Sequence, residues 1–456
     1  MRLVVPFAGA ALIGILAIPI HEPSPRIAAP SAQVVDSFSS SEWLAILPDG
    51  PAKRAFILDC TGCHQFDARI ARTAGRPRSE AEWAAAVTRM LGFAGATSGF
   101  PIMGPDRDAA ATAAWLADHA GKAPVHRPPP ASPTRVVRAT ITEYDMPVPQ
   151  DLPHDLAVDR DGRVLVTGMF THEVIRLDPA TRRMERLPIP VPNANPRAIE
   201  VDASGAWWLV LGGPRQIARY QPWSRAWRTF DIGFYAHSLA LGPSGQVWAN
   251  GHFTRSPELV RRVRPDQGTI DSIVIPPHPE LAERPGGPIP SEIRVGPDGR
   301  LWGSELAGNR LFSVHPAGGA VRTWMMPEPS SGPRRFDIDG DGVLWIPAYA
   351  GNQLVRLDPR TGRFTPFPLP IPDALPYVVR VDRQNGRVWI GTGAADAILA
   401  FDPAASAFTI YPLPSRGALV RHLAIDPRTR DLWIAYGGAP ATIPARIARL
   451  SATSAP

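Results

Sequence analysis

A unit of about 43 residues recurs seven times after residue 135, and this repeat constrains the fold more than any other feature. Each copy has an apolar strand, a turn resembling D-x-x-G and a second strand that usually contains Trp, as in GPDGRLWG and DGDGVLWI. The turns begin at Asp159, Asp202, Gly242, Gly296, Asp339, Asp382 and Asp426. Four short strands per repeat of this length are typical of a propeller blade. We therefore predict an all-β, seven-bladed propeller over residues 135–450.

The last copy lacks a fourth strand, because the chain stops soon after ARIARL at residues 445–450. The segment TITEYDMPVP at residues 140–149 resembles a fourth strand and precedes the first copy. We expect this segment to complete the last blade and close the ring, which leaves no free sheet edge.

Strand polarity predicts one functional face. Residues five positions before each turn should ring the mouth of the central channel, on the face opposite the turns. They are His154, Arg197, His237, Ser291, Arg334, Tyr377 and Arg421. The same face should carry residues that follow the second strands, namely His172, His252, Glu305 and Tyr349. We expect the insertion PPHPELAERPGGPIP to overhang this face, and the face to bind a small anionic or polar ligand.

The region before the propeller divides into three parts. Residues 1–22 contain a continuous apolar run behind Arg2, which predicts an export signal or an N-terminal anchor and a periplasmic location. Residues 39–121 predict a small helical domain, with helices opening near Ser41, at the Ser79 cap and at Asp106. The Pro-rich linker 122–134 should be a stiff spacer between the domains.

The only two cysteines stand in Cys60-Thr61-Gly62-Cys63-His64, the attachment pattern of haem c. Two thiols three residues apart reach the two haem vinyl groups, and the adjacent His64 supplies a nitrogen to the iron. The alternatives are a disulfide, a redox C-x-x-C pair and half a zinc site, although no further cysteine completes the zinc site. We expect one covalent haem c and a redox partner protein in the periplasm.

The helical domain resembles small c-type cytochromes in the residues that follow CxxCH. The matching residues are Arg78, Trp83, Val87, Arg89 and Met90. In that pattern the methionine after Val-x-Arg is the sixth iron ligand, so the resemblance implies Met90, with Met103 in GFPIM as the alternative. A thioether ligand raises the reduction potential and suits electron transfer.

Charge excludes one class of partner. The net charge is +6 and the pI is about 9.7, but no basic run is interleaved with aromatic residues. We therefore expect no nucleic-acid binding, and membrane contact only through an uncleaved N-terminal segment.

Residues 140–450 resemble the virginiamycin B lyase (streptogramin lyase) family, in the motifs P-[HYR]-x-[IL], G-x-[LV]-W and the GNRL of LWGSELAGNRL. The resemblance implies a propeller and an elimination reaction that uses a histidine base and a Mg²⁺ ion held by two glutamates. His154 occupies the matching histidine position, but Leu152 stands where the family has a glutamate. Glu305 fits the other glutamate position, and Glu292 lies near it on the same blade.

Three functions follow as expectations. The first is an exported electron-transfer cytochrome whose propeller binds a small ligand or a redox partner. The second is a Mg²⁺-dependent C–O lyase with an appended cytochrome, whose candidate catalytic residues are His154, Arg197, His237 and Glu305. The third is a non-catalytic binding propeller. A dehydrogenase would need a second redox cofactor, because one haem takes one electron at a time.

Overall fold

The computed structural model describes residues 37–126, 134–253, 257–315, 319–437 and 443–451. The predicted export segment lies outside these ranges. None of the helices within them has the length and apolar character needed to cross a bilayer.

The helical region contains more helices than the three predicted. They are α1 (Ser40–Leu44), α2 (Pro51–Cys60), α3 (Ala68–Ala71), α4 (Glu80–Ala94) and α5 (Ala109–His119), with a hairpin of Arg72–Thr73 and Arg76–Pro77 between α3 and α4. The CxxCH motif follows the second helix, whose last residue is Cys60. Pro51 opens α2, where its missing N–H has no intrahelical partner to lose.

Capping side chains set the starts of α1, α4 and α5. The predicted capping box of Ser79 and Glu82 is present at α4, and Ser39 forms an equivalent box with Glu42 at α1. The last helix begins three residues later than predicted. The Asp108 carboxylate accepts hydrogen bonds from the first N–H groups of α5, so Asp108 rather than Asp106 precedes the helix.

The seven predicted blades are present as seven antiparallel sheets of four main strands each. The strands of each blade are given from the inner strand outwards. Blade one comprises Pro153–Val158, Val164–Gly168, Glu173–Leu177 and Met184–Pro188, and blade two comprises Pro196–Val201, Trp207–Leu211, Gln216–Gln221 and Ala226–Asp231. Blade three comprises Ala236–Leu241, Val247–Gly251, Leu259–Arg264 and Thr269–Val274, and blade four comprises Pro290–Val295, Leu301–Glu305, Arg310–Val314 and Val321–Met325. Blade five comprises Asp337–Ile338, Leu344–Ala348, Gln353–Asp358 and Arg363–Pro368. Blade six comprises Pro376–Val381, Val388–Thr392, Ala397–Asp402 and Ala407–Pro412. Blade seven comprises Val420–Ile425, Leu432–Tyr436, Arg446–Leu450 and Ile141–Asp145.

The ring closes as predicted. The early strand Ile141–Asp145 pairs antiparallel with Arg446–Leu450 and supplies the fourth strand of blade seven. A short strand that sequence analysis missed, Arg135–Val136, pairs in parallel with the outer strand of blade six. The chain entering the propeller therefore crosses the outer edges of two blades before it begins blade one.

Turn residues and tryptophans have the structural roles that the repeat predicts. The Asp159 carboxylate accepts backbone N–H bonds across its turn, and Gly162 has φ +78°, which favours glycine. Trp208 is buried in the sheet core and donates its indole N–H to the turn residue Asp202 at 2.8 Å. Trp345 and Asp339 form the equivalent bond in blade five at 3.0 Å, so these two bonds tie a turn to the core of its own blade.

The helical region packs directly on the propeller, and residues 127–133 of the predicted linker lie outside the described ranges. Lys53 on α2 is buried and forms a salt bridge of 2.8 Å with Asp373 of the propeller. The Ser41 N–H donates to the Ala394 carbonyl at 2.9 Å. These contacts place the helical region on one face of the ring.

Candidate functional site

The predicted mouth residues lie at register irregularities of the inner strands. In blades one to four, six and seven, the pairing between the first and second strands shifts at the mouth residue, as it does between Val210 and Leu211 opposite Arg197. In blade five, Arg335 instead bridges to Val378 of the next blade. Bulges of this kind turn side chains away from the regular alternation, and they recur next to functional sites.

Three buried histidines contact one another at the mouth. The rings of His154 and His237 lie 5.1 Å apart, and His252 stacks on His237 at 4.5 Å. In each ring Nδ1 contacts a backbone carbonyl, which is that of Arg197 for His154 (2.6 Å), of Ser291 for His237 (2.6 Å) and of Pro290 for His252. A carbonyl only accepts, so Nδ1 carries the proton and Nε2 is the free acceptor of each neutral ring.

The electrostatics keep these histidines neutral. Burial lowers the pKa of His154 well below its usual range, and the charge of Arg197 lowers it further. Burial and the neighbouring His252 lower the pKa of His237 in the same direction. Neutral imidazoles with a free Nε2 accept hydrogen bonds, so this part of the mouth suits a ligand that carries a donor group.

Three arginines share the mouth with the histidines, and all three are buried. Arg197 lies over the Tyr235 ring at 5.1 Å. Arg334 lies over the rings of Tyr349 (4.2 Å) and Tyr377 (4.3 Å). Arg421 donates towards the Tyr377 hydroxyl at 3.4 Å. Burial raises the pKa of Tyr377, but the positive charges of Arg334 and Arg421 outweigh burial and leave it below its usual value.

A second, deeper layer of charges lies below the mouth and was not predicted. Arg335 is fully buried and pairs with Asp155 at 2.7 Å. Arg294 pairs with Glu292 at 3.0 Å and with Glu200 at 2.9 Å. These residues follow the mouth positions by one or three places. The repeat alone did not indicate that they would pair with one another in the channel.

The CxxCH segment lies on this mouth. The Thr61 hydroxyl and the Tyr349 hydroxyl are 2.9 Å apart, and the Tyr349 hydroxyl also donates to the Thr61 carbonyl at 3.0 Å. A Cβ on Gly62 would stand 2.8 Å from Nη2 of Arg334. Arg421 donates to the Cys63 carbonyl at 2.8 Å. Residues 61–63 are thus hydrogen-bonded to two side chains of the propeller, Tyr349 and Arg421, and Gly62 lies beside a third, Arg334.

The two thiols and the imidazole of the motif differ in exposure. Both cysteines are free thiols; Cys60 is half-buried and Cys63 is exposed. Burial raises the pKa of the Cys60 thiol to about 12, and the charge of Asp59 raises it further. Nδ1 of His64 contacts the Gln65 carbonyl at 3.1 Å, which leaves Nε2 as the nitrogen available to a metal.

The two candidate methionine ligands lie in different environments. Met90 is half-buried on α4, on the same helix face as the buried residues Trp83 and Val87. The Trp83 ring contacts Phe66, two residues after His64, at 6.4 Å. Met103 is 2% exposed, in the loop before α5.

The two predicted glutamates are each neutralised by arginine. Arg310 contacts both oxygens of the Glu305 carboxylate, at 2.9 and 2.8 Å, whereas Glu292 pairs with Arg294 and Arg335. Burial raises the pKa of Glu305 to about 7. Across the described ranges, no group of three or more His, Cys, Asp or Glu residues is arranged to hold a metal ion. These side chains therefore do not fit a Mg²⁺ site.

The predicted overhanging insertion touches the helical region. Arg284 of the insertion donates to the Ile102 carbonyl at 2.8 Å. Beside this contact, a cavity of about 490 Å³ lies between α2, α5, the loop around Gly104 and the insertion. Asp59, which precedes Cys60, is among its lining residues.

Comparison with known proteins identifies the propeller. The profile of the virginiamycin B lyase family matches residues 139–442. Virginiamycin B lyase from Staphylococcus aureus is 20% identical, with a TM-score of 0.60, and the match covers 68% of this chain and 99% of that one. A hydrazine synthase chain from Kuenenia stuttgartiensis is 12% identical, with a TM-score of 0.53 and coverage of 68% and 97%.

YCF48, in a structure with the D1 peptide, is 11% identical, with a TM-score of 0.54 and coverage of 69% and 97%. No curated protein matched the chain in sequence. At these identities the solved structures share the fold alone. The family profile spans about two thirds of the sequence, and the chain therefore belongs to the virginiamycin B lyase family.

Proposed function

We propose that this protein is an exported c-type cytochrome that transfers electrons in the periplasm. Cys60 and Cys63 would carry one covalent haem c, and His64 would supply a nitrogen ligand to its iron. The propeller would present a small ligand or a redox partner to the haem-bearing segment.

The residues of the motif fit a covalent haem. Cys60 and Cys63 stand three residues apart, and they do not form a disulfide with each other. Both thiols are therefore free to attach to a haem. The Nδ1 contact of His64 with a backbone carbonyl orients the ring and leaves Nε2 for the iron, as is usual for metal-bound histidine. Met90 would supply the sixth ligand from α4, with Met103 as the alternative. The haem, when bound, supplies one-electron redox chemistry.

The position of the CxxCH segment carries the proposal. Residues 61–63 lie against Arg334, Tyr349 and Arg421, so the attachment residues stand over the channel mouth of the propeller. A group bound at this mouth would lie within a few residues of the haem attachment point. A propeller that served only as an independent binding module would not need to hold this segment.

The lyase reaction of the family has less support. The two glutamates that the resemblance nominates are paired with arginines, and the metal site that it implies does not fit these residues.

The test is covalent haem in the purified protein, expressed with its export segment in a host that attaches haem c. Wild-type protein should keep its haem on a denaturing gel, and Cys63→Ala should lose most of it. His119→Ala, at the end of α5, is the matched control and should retain wild-type staining. Colourless wild-type protein with two alkylatable thiols would overturn the proposal.

A further inference from the structure

The charges of the channel mouth are out of balance. Arg197, Arg334 and Arg421 are 9%, 6% and 4% exposed. Among the residues whose positions are described, none of the three forms a salt bridge with a carboxylate; their contacts are aromatic rings, the Met169 sulfur and the Cys63 carbonyl. A buried charge without a counter-charge is costly, so such groups are normally paired.

The deeper layer shows that the channel can supply counter-charges. There, Arg335 and Arg294 have Asp155, Glu292 and Glu200 as partners within 3.5 Å. The mouth, one layer above, has arginines of similar burial but no such partners in the described structure. This contrast indicates that the mouth arginines bind a negatively charged group from outside the propeller.

Each of these guanidinium groups also retains an unused donor. The Nε atoms of Arg197, Arg334 and Arg421 are all buried and have no hydrogen-bond partner in the structure. Arg334 and Arg421 both flank the Tyr377 ring, at 4.3 and 5.9 Å, and Arg197 adds to the field that lowers the pKa of Tyr377. Arg334 and Arg421 therefore converge on one ring, and Arg197 adds to the positive field there.

We propose that the mouth is an anion site that binds a carboxylate through Arg197, Arg334 and Arg421, beneath the Cys60–His64 segment. Guanidinium groups bind carboxylates through strong, charge-assisted hydrogen bonds. The adjacent His154, His237 and His252 each offer a free Nε2 acceptor, which suits a carboxylate whose carbon skeleton also bears a hydroxyl or amine. The site needs no haem, so it does not depend on the proposed function.

Two sources offer the same carboxylate chemistry. One is a free organic anion that enters the mouth. The other is a propionate of the haem proposed for Cys60 and Cys63. Malonate serves as the probe, because it is small and carries two carboxylates, and neutral malonamide and matched NaCl serve as controls.

Thermal unfolding of the full chain should show stabilisation by malonate but not by malonamide or NaCl. Arg334→Gln should weaken the apparent malonate affinity about tenfold or more, since a hydrogen bond to a charged group is lost. Arg322→Gln, an exposed arginine on the outer strand of blade four, is the control and should respond as wild type. In the haem-free Cys60→Ala/Cys63→Ala background, Arg334→Gln should also raise Tm without malonate, because it removes an unpaired buried charge.

The same titration on Cys60→Ala/Cys63→Ala distinguishes the sources. Stabilisation of both wild type and this variant indicates a free anion, and stabilisation of the variant alone indicates that a haem propionate fills the site. Either result supports the site. The proposal is overturned if malonate stabilises neither protein, or if adding Arg334→Gln to Cys60→Ala/Cys63→Ala leaves the malonate response unchanged. Colourless wild-type protein would refute the haem and leave this test intact.

Discussion

Arg421 in the inner strand of blade seven donates a hydrogen bond of 2.8 Å to the carbonyl of Cys63, across 358 positions of sequence. The contact joins the propeller mouth to the backbone between the two thiols and His64. It brings together two features that the sequence presents separately, a repeat position and a CxxCH motif. Three predictions below test this junction and the proposed haem, and a fourth tests a buried carboxyl beside it.

The first prediction concerns the hydroxyl of Tyr349. Tyr349→Phe should lower the free energy of unfolding by about 1–2 kcal/mol, because the Thr61 carbonyl loses a buried donor. It should also speed amide hydrogen exchange in residues 60–64. Tyr220→Phe, buried in blade two, is the control and should leave that exchange unchanged. Unaltered exchange in Tyr349→Phe would contradict the docked position of the segment.

The second prediction concerns the buried ion pair of Lys53 and Asp373. Lys53→Met should cost about 3 kcal/mol of unfolding free energy, because it leaves a carboxylate at the junction without its principal partner. Lys53→Met/Asp373→Asn should recover most of the loss. Asn suits this position because residue 373 has φ +54°, which asparagine tolerates. A double variant no more stable than Lys53→Met would show that the loss is packing rather than charge.

The third prediction concerns the sixth iron ligand and rests on the proposed haem. Met90→Ala should abolish the thioether charge-transfer band at the red end of the ferric spectrum and lower the reduction potential. Met103→Ala should retain the band, although it opens a cavity and lowers stability. Loss of the band in Met103→Ala alone would assign the ligand to the loop before α5.

The fourth prediction concerns Asp396, which is buried beside the helical region. Burial raises the pKa of this carboxyl from 3.8 to about 6, against the hydrogen bonds from the Ala418 and Gly417 N–H groups. The folded state therefore holds the proton more tightly than the unfolded state, so stability falls as pH rises from about 4 to 6.

Asp396→Asn removes this dependence and keeps an oxygen acceptor for the Ala418 N–H. The variant should gain up to about 3 kcal/mol over wild type at pH 7, and the difference should shrink towards pH 4. Chemical unfolding of both proteins across this pH range measures the gain. A constant difference at every pH would show that folding does not shift the pKa of Asp396.

The propeller was predictable because its information is local and repeated. The seven turns and strands recur at nearly constant spacing, and hydrophobic alternation sets which face of each strand is buried. The missing fourth strand of blade seven identified Ile141–Asp145 as its partner. Helix α2 was not predicted from the sequence, because no side-chain cap marks its start at Pro51.

The sequence by itself determined the blade count, the ring closure, the mouth positions and the CxxCH motif, because each is a pattern along the chain. Only the tertiary structure decided that the mouth arginines lack carboxylate partners, that Glu305 is engaged by Arg310, and that residues 61–63 rest on Arg334, Tyr349 and Arg421. Those facts depend on bulges that turn single side chains and on contacts between residues hundreds of positions apart. Burial and charge pairing are properties of such contacts, and no spacing rule in the sequence contains them.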